Sequence, residues 1–265
     1  MLPERFADVQ AGFPILSVLI LFPLVVVGVL WFVRDSTRAY RLALGVAAAE
    51  LFLAAYMALV FVPQIPDMQF VERGWTIPAL GIGYHLGVDG ISVLFLPVTA
   101  LLTLLVILYA EYSAATDTRH YVMATLALEA MLIGAFVSLD LVMFWLFFVL
   151  ELVPSYVLIT RWGTGAERRR AANEYVAFML LGSAAMLGGI VTMAVRARGT
   201  GDALSFDLLD LLRLPVPADG QHLIFFLLFL GFAIKAPVFP FHTWMPKVLE
   251  QGPIVGMSVF LIGIK

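Results

Sequence analysis

Apolar residues run along this chain in long uninterrupted blocks, and the polar residues gather between them. Blocks 13–33, 42–62, 91–110, 121–138, 140–160, 174–195 and 222–240 are each close to a membrane-crossing length, and another begins at 253. Since roughly 20 apolar residues in a helix cover the hydrocarbon thickness, each block predicts a transmembrane helix. A buried soluble core would instead show short runs broken by polar faces. The pattern therefore predicts an all-α, polytopic transmembrane bundle, with residues 1–265 forming a single membrane domain and the eighth helix, 253–265, incomplete. The first block is too long for the apolar part of a cleavable signal and follows the acidic, aromatic stretch Glu4 to Asp8, so it reads as a retained helix.

The inter-block segments predict orientation. One alternating set carries Arg34, Arg38, Arg41, Arg119, Arg161, Arg168, Arg169, Arg170 and Lys247; the other carries Arg5, Arg73, Arg196, Arg198 and Arg213. Basic loops stay cytoplasmic, so the N-terminus and the long loop 63–90 are expected outside, in a membrane such as the bacterial inner membrane. Stretch 203–213 places Leu204, Leu208, Leu211 and Leu212 on one helical face, which predicts a helix lying along the outer interface. GIGYHLG, between two spans, reads as a turn rather than a phosphate loop.

Composition narrows the chemistry. The 265 residues are 62% hydrophobic and 13% charged, and their mean hydropathy is +0.98. There is no cysteine, which excludes disulfides, thiolate zinc sites and cysteine-held iron–sulfur clusters. No cofactor is expected on this chain. A net charge of −3 without a long basic run argues against nucleic acid. The four histidines lack i,i+4 spacing, so no metal site is expected.

Charge inside the blocks is scarce: apart from Asp140 and Glu174 at block starts, it is Glu50, Glu129, Glu151, Lys235 and Lys265. Each ion retained at mid-bilayer costs about 2.5–3.5 kcal/mol on insertion scales, so it needs a partner, water or neutralisation by a proton. Lys235 is followed by Pro237 and Pro240, which predicts a seventh helix broken just beyond the lysine. A lysine whose carboxylate partner approaches and retreats can take up and release a proton. Glu151, three residues before Pro154, is the first candidate partner and Glu129 the second. His242, in PFHTWMP, suits a proton relay at the cytoplasmic end, because imidazole ordinarily titrates near pH ~6.5.

Three stretches in order, YHLGVDGIS (84–92), LVMFWLFFVLELVPSYVLITRWG (141–163) and FAIKAPVFPFHTWMPK (232–247), resemble the chain M (chain 4) family of proton-translocating NADH:quinone oxidoreductase, the respiratory complex I or NDH-1 type. PFHTWMP is also similar to motifs in Mrp-type cation/proton antiporter subunits. The resemblance implies an antiporter-like bundle of about fourteen helices, of which this sequence is a first half. It implies that Lys235 and Lys265 carry protons, and that NADH, FMN, iron–sulfur clusters and quinone sit on partner subunits of a membrane arm. It leaves three readings: a pump subunit, an antiporter subunit, or a non-pumping spacer. The family acid stands five residues before the proline, where this sequence has Val149. Two residues along a regular helix is a rotation of about 200°, so Glu151 reaches Lys235 only if the helix is irregular there. Leu249 replaces a usual histidine, and Lys265 stands one residue early.

Overall fold

A computed structural model describes residues 4–110, 117–198, 204–213 and 216–253. The expected eighth helix and Lys265 lie outside the described residues. Strand β1 (Glu4–Phe6) and the short helix α1 (Ala7–Gln10) lead into α2 (Ile15–Phe32) and α3 (Ser36–Val60). After β2 (Met68–Ile77) and β3 (Ile82–Val88) come α4 (Ser92–Leu108), α5 (Thr118–Val137), α6 (Leu141–Leu150), α7 (Leu152–Trp162) and α8 (Arg168–Ala197). The short α9 (Leu208–Leu211), α10 (Ala218–Lys235), a 3-10 turn (Phe241–Thr243) and α11 (Trp244–Gln251) complete the described chain.

Among the described residues, six stretches are long and apolar enough to cross a bilayer, with α6 and α7 counted together as Leu141–Trp162; α4 is apolar but 17 residues long. This is a multi-pass integral membrane protein. Protein covers 78% of the most apolar part of α5, against 28–44% for the other spans. α5 is therefore the hub of the bundle, and α2, α3, α4, α6 and α7 all pack on it. Large apolar side chains such as Trp31, Phe52, Leu59 and Phe225 remain exposed on the outer spans, as a lipid-facing surface requires.

Several helices begin before their apolar block does. α3 starts at Ser36 rather than 42 because the Asp35 carboxylate accepts the Thr37 and Arg38 amides, at 2.8 and 3.3 Å. α8 starts at Arg168 rather than 174, so three arginines occupy its first turn. Asp140 caps α6 in the same way, accepting from Val142 and Met143 at 2.9 and 3.0 Å. Glu72 caps α2 from the opposite strand, accepting the Leu16 and Ser17 amides at 2.7 and 3.0 Å.

The loop expected over 63–90 is ordered as an antiparallel β2–β3 hairpin, with β1 added in parallel to β2. GIGYHLG is thus mostly strand, with only Gly81 in the turn. Gly81 has φ +66°, and a Cβ there would stand 2.2 Å from the Leu204 carbonyl oxygen. This close approach lets Phe206 N–H donate to the Gly81 carbonyl at 2.9 Å. The hairpin is fixed to the bundle by the Gly83 amide, which donates to Asp140 at 2.9 Å, and by the His85 Nδ1–Asp207 contact at 2.6 Å.

The expected interfacial helix over 203–213 is only the four-residue α9. Its buried leucines are Leu209 and Leu211, while Leu212 is 63% exposed. The Asp207 cap and the backbone bonds of 204–208 to the hairpin and to Leu139 set this orientation in place of a helical face.

Candidate functional site

Pro154 has no amide hydrogen, so the Leu150 carbonyl one turn earlier loses its usual helical donor. The helix divides there. α6 ends at Leu150, α7 begins at Leu152, and Glu151 is the joint, with its own amide on Phe147 at 3.1 Å and its carbonyl taking Ser155 N–H at 3.2 Å. The joint keeps right-handed helical geometry, with φ −59° and ψ −22° at Glu151, so Val149 and Glu151 still face opposite sides and the acid meets Lys235 without the irregularity expected from the sequence. Glu151 turns inward, 2% exposed, and forms an ion pair with Lys235. Val149 faces an apolar groove of about 410 Å³ with Leu152, Val153, Tyr156 and Val176.

Lys235 is the last residue of α10. Pro237 contributes no amide, and Val238 N–H reaches back to Ala233 at 2.9 Å, so the Ile234 carbonyl is left without a backbone donor. Trp244 supplies one from the side chain: its indole Nε1–H donates to the Ile234 oxygen at 3.0 Å, and the ring is 1% exposed. The tryptophan of HTW thus holds the end of α10 against the start of α11. A buried carbonyl with no partner costs about 1–3 kcal/mol, which explains an indole at this point.

The pair has a defined setting. The Lys235 ammonium lies 3.8 Å from the centre of the Phe148 ring, a cation–π contact. Tyr175 on α8 directs its hydroxyl at Ser155, stands within charge reach of Glu151, and packs its ring 5.2 Å from that of Trp244. A cavity of about 170 Å³ opens onto the pair between Leu132, Phe136, Phe144, Phe148 and Phe232. The Lys235 side chain is 16% exposed and that of Glu151 is 3%. An ammonium touching a carboxylate, with a cavity beside it, can pass its proton across and become a neutral pair, or can be released when the carboxylate is protonated instead.

The other candidates lie elsewhere. Glu129 on α5 does not join Lys235; it is fully buried beside Glu50 of α3 and Thr103 of α4. His242 lies in the 3-10 turn with its ring 5.7 Å from Phe239, and its Nδ1 is buried without a hydrogen bond among the described residues. Lys265 is outside the described residues. The sequence reading gave no role to Tyr175, Ser155, Phe148 or Trp244. Tyr175 had a signal available, since it is the polar member of the buried stripe Tyr175, Met179, Gly182, Met186 at helical spacing.

At the hairpin end, outside the spans, a second ionic cluster gathers. Arg73 pairs with Glu4 at 2.5 Å and approaches Asp207 at 4.0 Å, beside the His85–Asp207 contact. Burial pushes the Asp207 carboxyl up, but the His85 hydrogen bond and charge, the Leu209 amide and Arg73 outweigh it and hold it below its usual value of 3.8.

The bundle of apolar helices matches the fold of antiporter-like membrane subunits. The family model for "NADH:quinone oxidoreductase/Mrp antiporter, TM" matches residues 138–265, so this part of the chain is similar to that family. Within it, the chain is similar to NADH-quinone oxidoreductase subunit M. It is 34% identical to that subunit of Rickettsia prowazekii over 258 residues, covering 95% of this chain and 51% of the relative. It is 40% identical to that of Rhodobacter capsulatus over 223 residues, covering 80% of this chain and 42% of the relative. Among solved structures, the respiratory complex I of Thermus thermophilus with bound NADH contains a chain that superposes with a TM-score of 0.79 at 27% identity, over 92% of this chain and 51% of that one. The chain spans about half the length of the relatives it matches.

Proposed function

We propose that this chain works within a proton-translocating membrane-arm subunit of an NADH:quinone oxidoreductase of complex I or NDH-1 type. The observation that carries the reading is the Glu151–Lys235 ion pair, placed where two helices end and beside a cavity. α10, the turn at Pro237 and Pro240, and α11 act together as one broken membrane helix, with the freed carbonyl held by Trp244. Protons enter from the cytoplasmic end past His242, load Lys235, and pass to Lys265. Glu151 governs loading by approaching and leaving the amine, and Glu129 is a further proton-handling acid. The N-terminus and the hairpin face outward, opposite the basic cytoplasmic end, in a bacterial inner membrane.

Enzymatic activity belongs to the assembly: NADH, FMN, iron–sulfur clusters and quinone sit on partner subunits, and this chain contributes transport. The alternative is an Mrp-type cation/proton antiporter subunit, favoured by a family model that covers both groups. Co-purification with quinone-reducing subunits supports the first; sodium-dependent transport with antiporter chains alone supports the second. The non-pumping spacer reading rested on the missing acid at Val149, and the contact made by Glu151 weighs against it.

Lys235→Ala in the assembled complex tests the proposal. Most proton translocation is expected to disappear while the subunit stays in the membrane. Undiminished translocation by that variant overturns the role given to Lys235.

A further inference from the structure

Away from Lys235, helices α3, α4 and α5 meet around three buried polar side chains. Glu50 and Glu129 are both fully buried, and neither carboxyl group has a hydrogen bond of ordinary geometry among the described residues. They lie within charge reach of each other. Thr103, also fully buried, brings a hydroxyl without an ordinary hydrogen bond up to the Glu129 carboxyl.

No described cation neutralises the two acids. α2, α4 and α6 contain no charged residue at all. On α3, Arg38 and Arg41 belong to the first two turns, about 13 Å or more along the helix from Glu50. On α5, Arg119 donates to the Val33 carbonyl and His120 contacts Asp117, about 13 Å or more along the helix from Glu129. The remaining basic residue of α7, Arg161, faces Asp117 at that same end. His85, on the hairpin packed against α5, is held by Asp207, and Tyr84 by Ser17. The phenol of Tyr121, on α5, is also buried. Two carboxylates buried within charge reach of each other in a dry interior cannot both stay ionised, because desolvation and mutual repulsion act together.

We propose that Glu50, Glu129 and Thr103 form a second proton-holding site, whose two carboxyl groups keep one proton between them and exchange a second during turnover. In the resting state one acid is COOH and the other COO⁻, with the Thr103 hydroxyl donating to the pair. An arriving proton forms an O–H bond on the carboxylate and leaves two neutral acids; its departure breaks one O–H bond and restores the shared state. No oxidant or further reactant is required. The two groups titrate as one coupled unit. Holding the proton follows from the burial of the acids; its exchange during turnover rests on the proton-translocation reading above.

The test is infrared difference spectroscopy on the complete membrane-bound complex, resting against turning over, alongside the proton-to-electron ratio. The wild type is expected to show a carboxylic-acid C=O band that gains intensity on loading. Glu50→Gln and Glu129→Gln should each leave one acid band at a shifted position, and the double variant should lose the band and lower the ratio. Thr103→Val keeps both acids and should shift the band without loss of intensity, which covers the case of a carboxyl variant that does not assemble. An unchanged band in the double variant, single-variant changes that merely add, or a lost band with an unaltered ratio each overturns the proposal. If the wild-type complex moves no protons, the translocation reading fails by itself, while the band still reports whether the pair holds a proton.

Discussion

Trp244 offers the sharpest test of how the helix end beside Lys235 is held. Trp244→Phe keeps an aromatic ring but deletes the indole N–H that reaches the Ile234 oxygen at 3.0 Å. Val238 N–H is already committed to Ala233, and Pro237 has no amide to offer, so the carbonyl is left buried and unpaired. That loss costs about 1–3 kcal/mol. The missing pyrrole edge of a ring that is 1% exposed removes a further two or so methylene equivalents of burial, about 1–2 kcal/mol. The sum, about 2–5 kcal/mol, should appear as opening of the segment between α10 and α11. Hydrogen exchange followed by mass spectrometry on the assembled complex reads it directly. The amides of Ala236, Val238 and Phe241, which are all hydrogen-bonded within this segment, should exchange roughly 30-fold to several-thousand-fold faster, at about 1.4 kcal/mol per factor of ten. Exchange within threefold of wild type in an intact complex would refute the role assigned to the indole.

Exchanging the acid and its neighbour, Val149→Glu with Glu151→Val, should fail to restore the pair, because position 149 faces the apolar groove. Lys235 then loses a buried partner, a loss of about 3–5 kcal/mol, and proton translocation by reconstituted complex should fall at least tenfold; wild-type translocation would contradict the geometry. At the hairpin end, Asp207 is held below its usual value, so its contribution to stability is fully present above pH ~3.8 and is lost as pH falls through the lower value of the folded state. Amide exchange in the Ile82–Val88 strand should therefore accelerate on acidification in the wild type and lose that acid-linked part in Asp207→Asn; identical acid profiles would count against the His85–Asp207 contact as the fastening.

The spans were legible because hydrocarbon imposes a length and an apolar composition that few other environments impose. Their starts were not, since the residues that begin α3 and α8 are polar: Asp35 as a cap, and the Arg168–Arg170 run. The hairpin was hidden because half of β2 is exposed, and its turn, Pro78 to Gly81, carries no Asn-Gly or Asp-Gly signal. Lys235 was visible as a charge in an apolar block followed by prolines. Its partner depended on how the helix carrying Glu151 is turned against the end of α10, which spacing along the chain does not report. Trp244 stood in a motif already noted, but its task is set by a carbonyl ten residues earlier, and no local pattern reports that. Glu50 and Glu129 were each conspicuous as lone acids; their meeting depends on how α3, α4 and α5 pack, which spacing along the chain does not encode.

Proton transfer through this site requires the amine of Lys235 to change state as the complex works. Nitrogen-15 resonance of labelled lysine in the membrane-bound complex, assigned by comparison with Lys235→Arg, distinguishes an ammonium from a free amine in resting and energised samples. Two states are expected, one an ammonium held by Glu151 and the other an amine released from it that exchanges with solvent. A single ammonium signal, unmoved between the samples and closed to solvent in both, would contradict this.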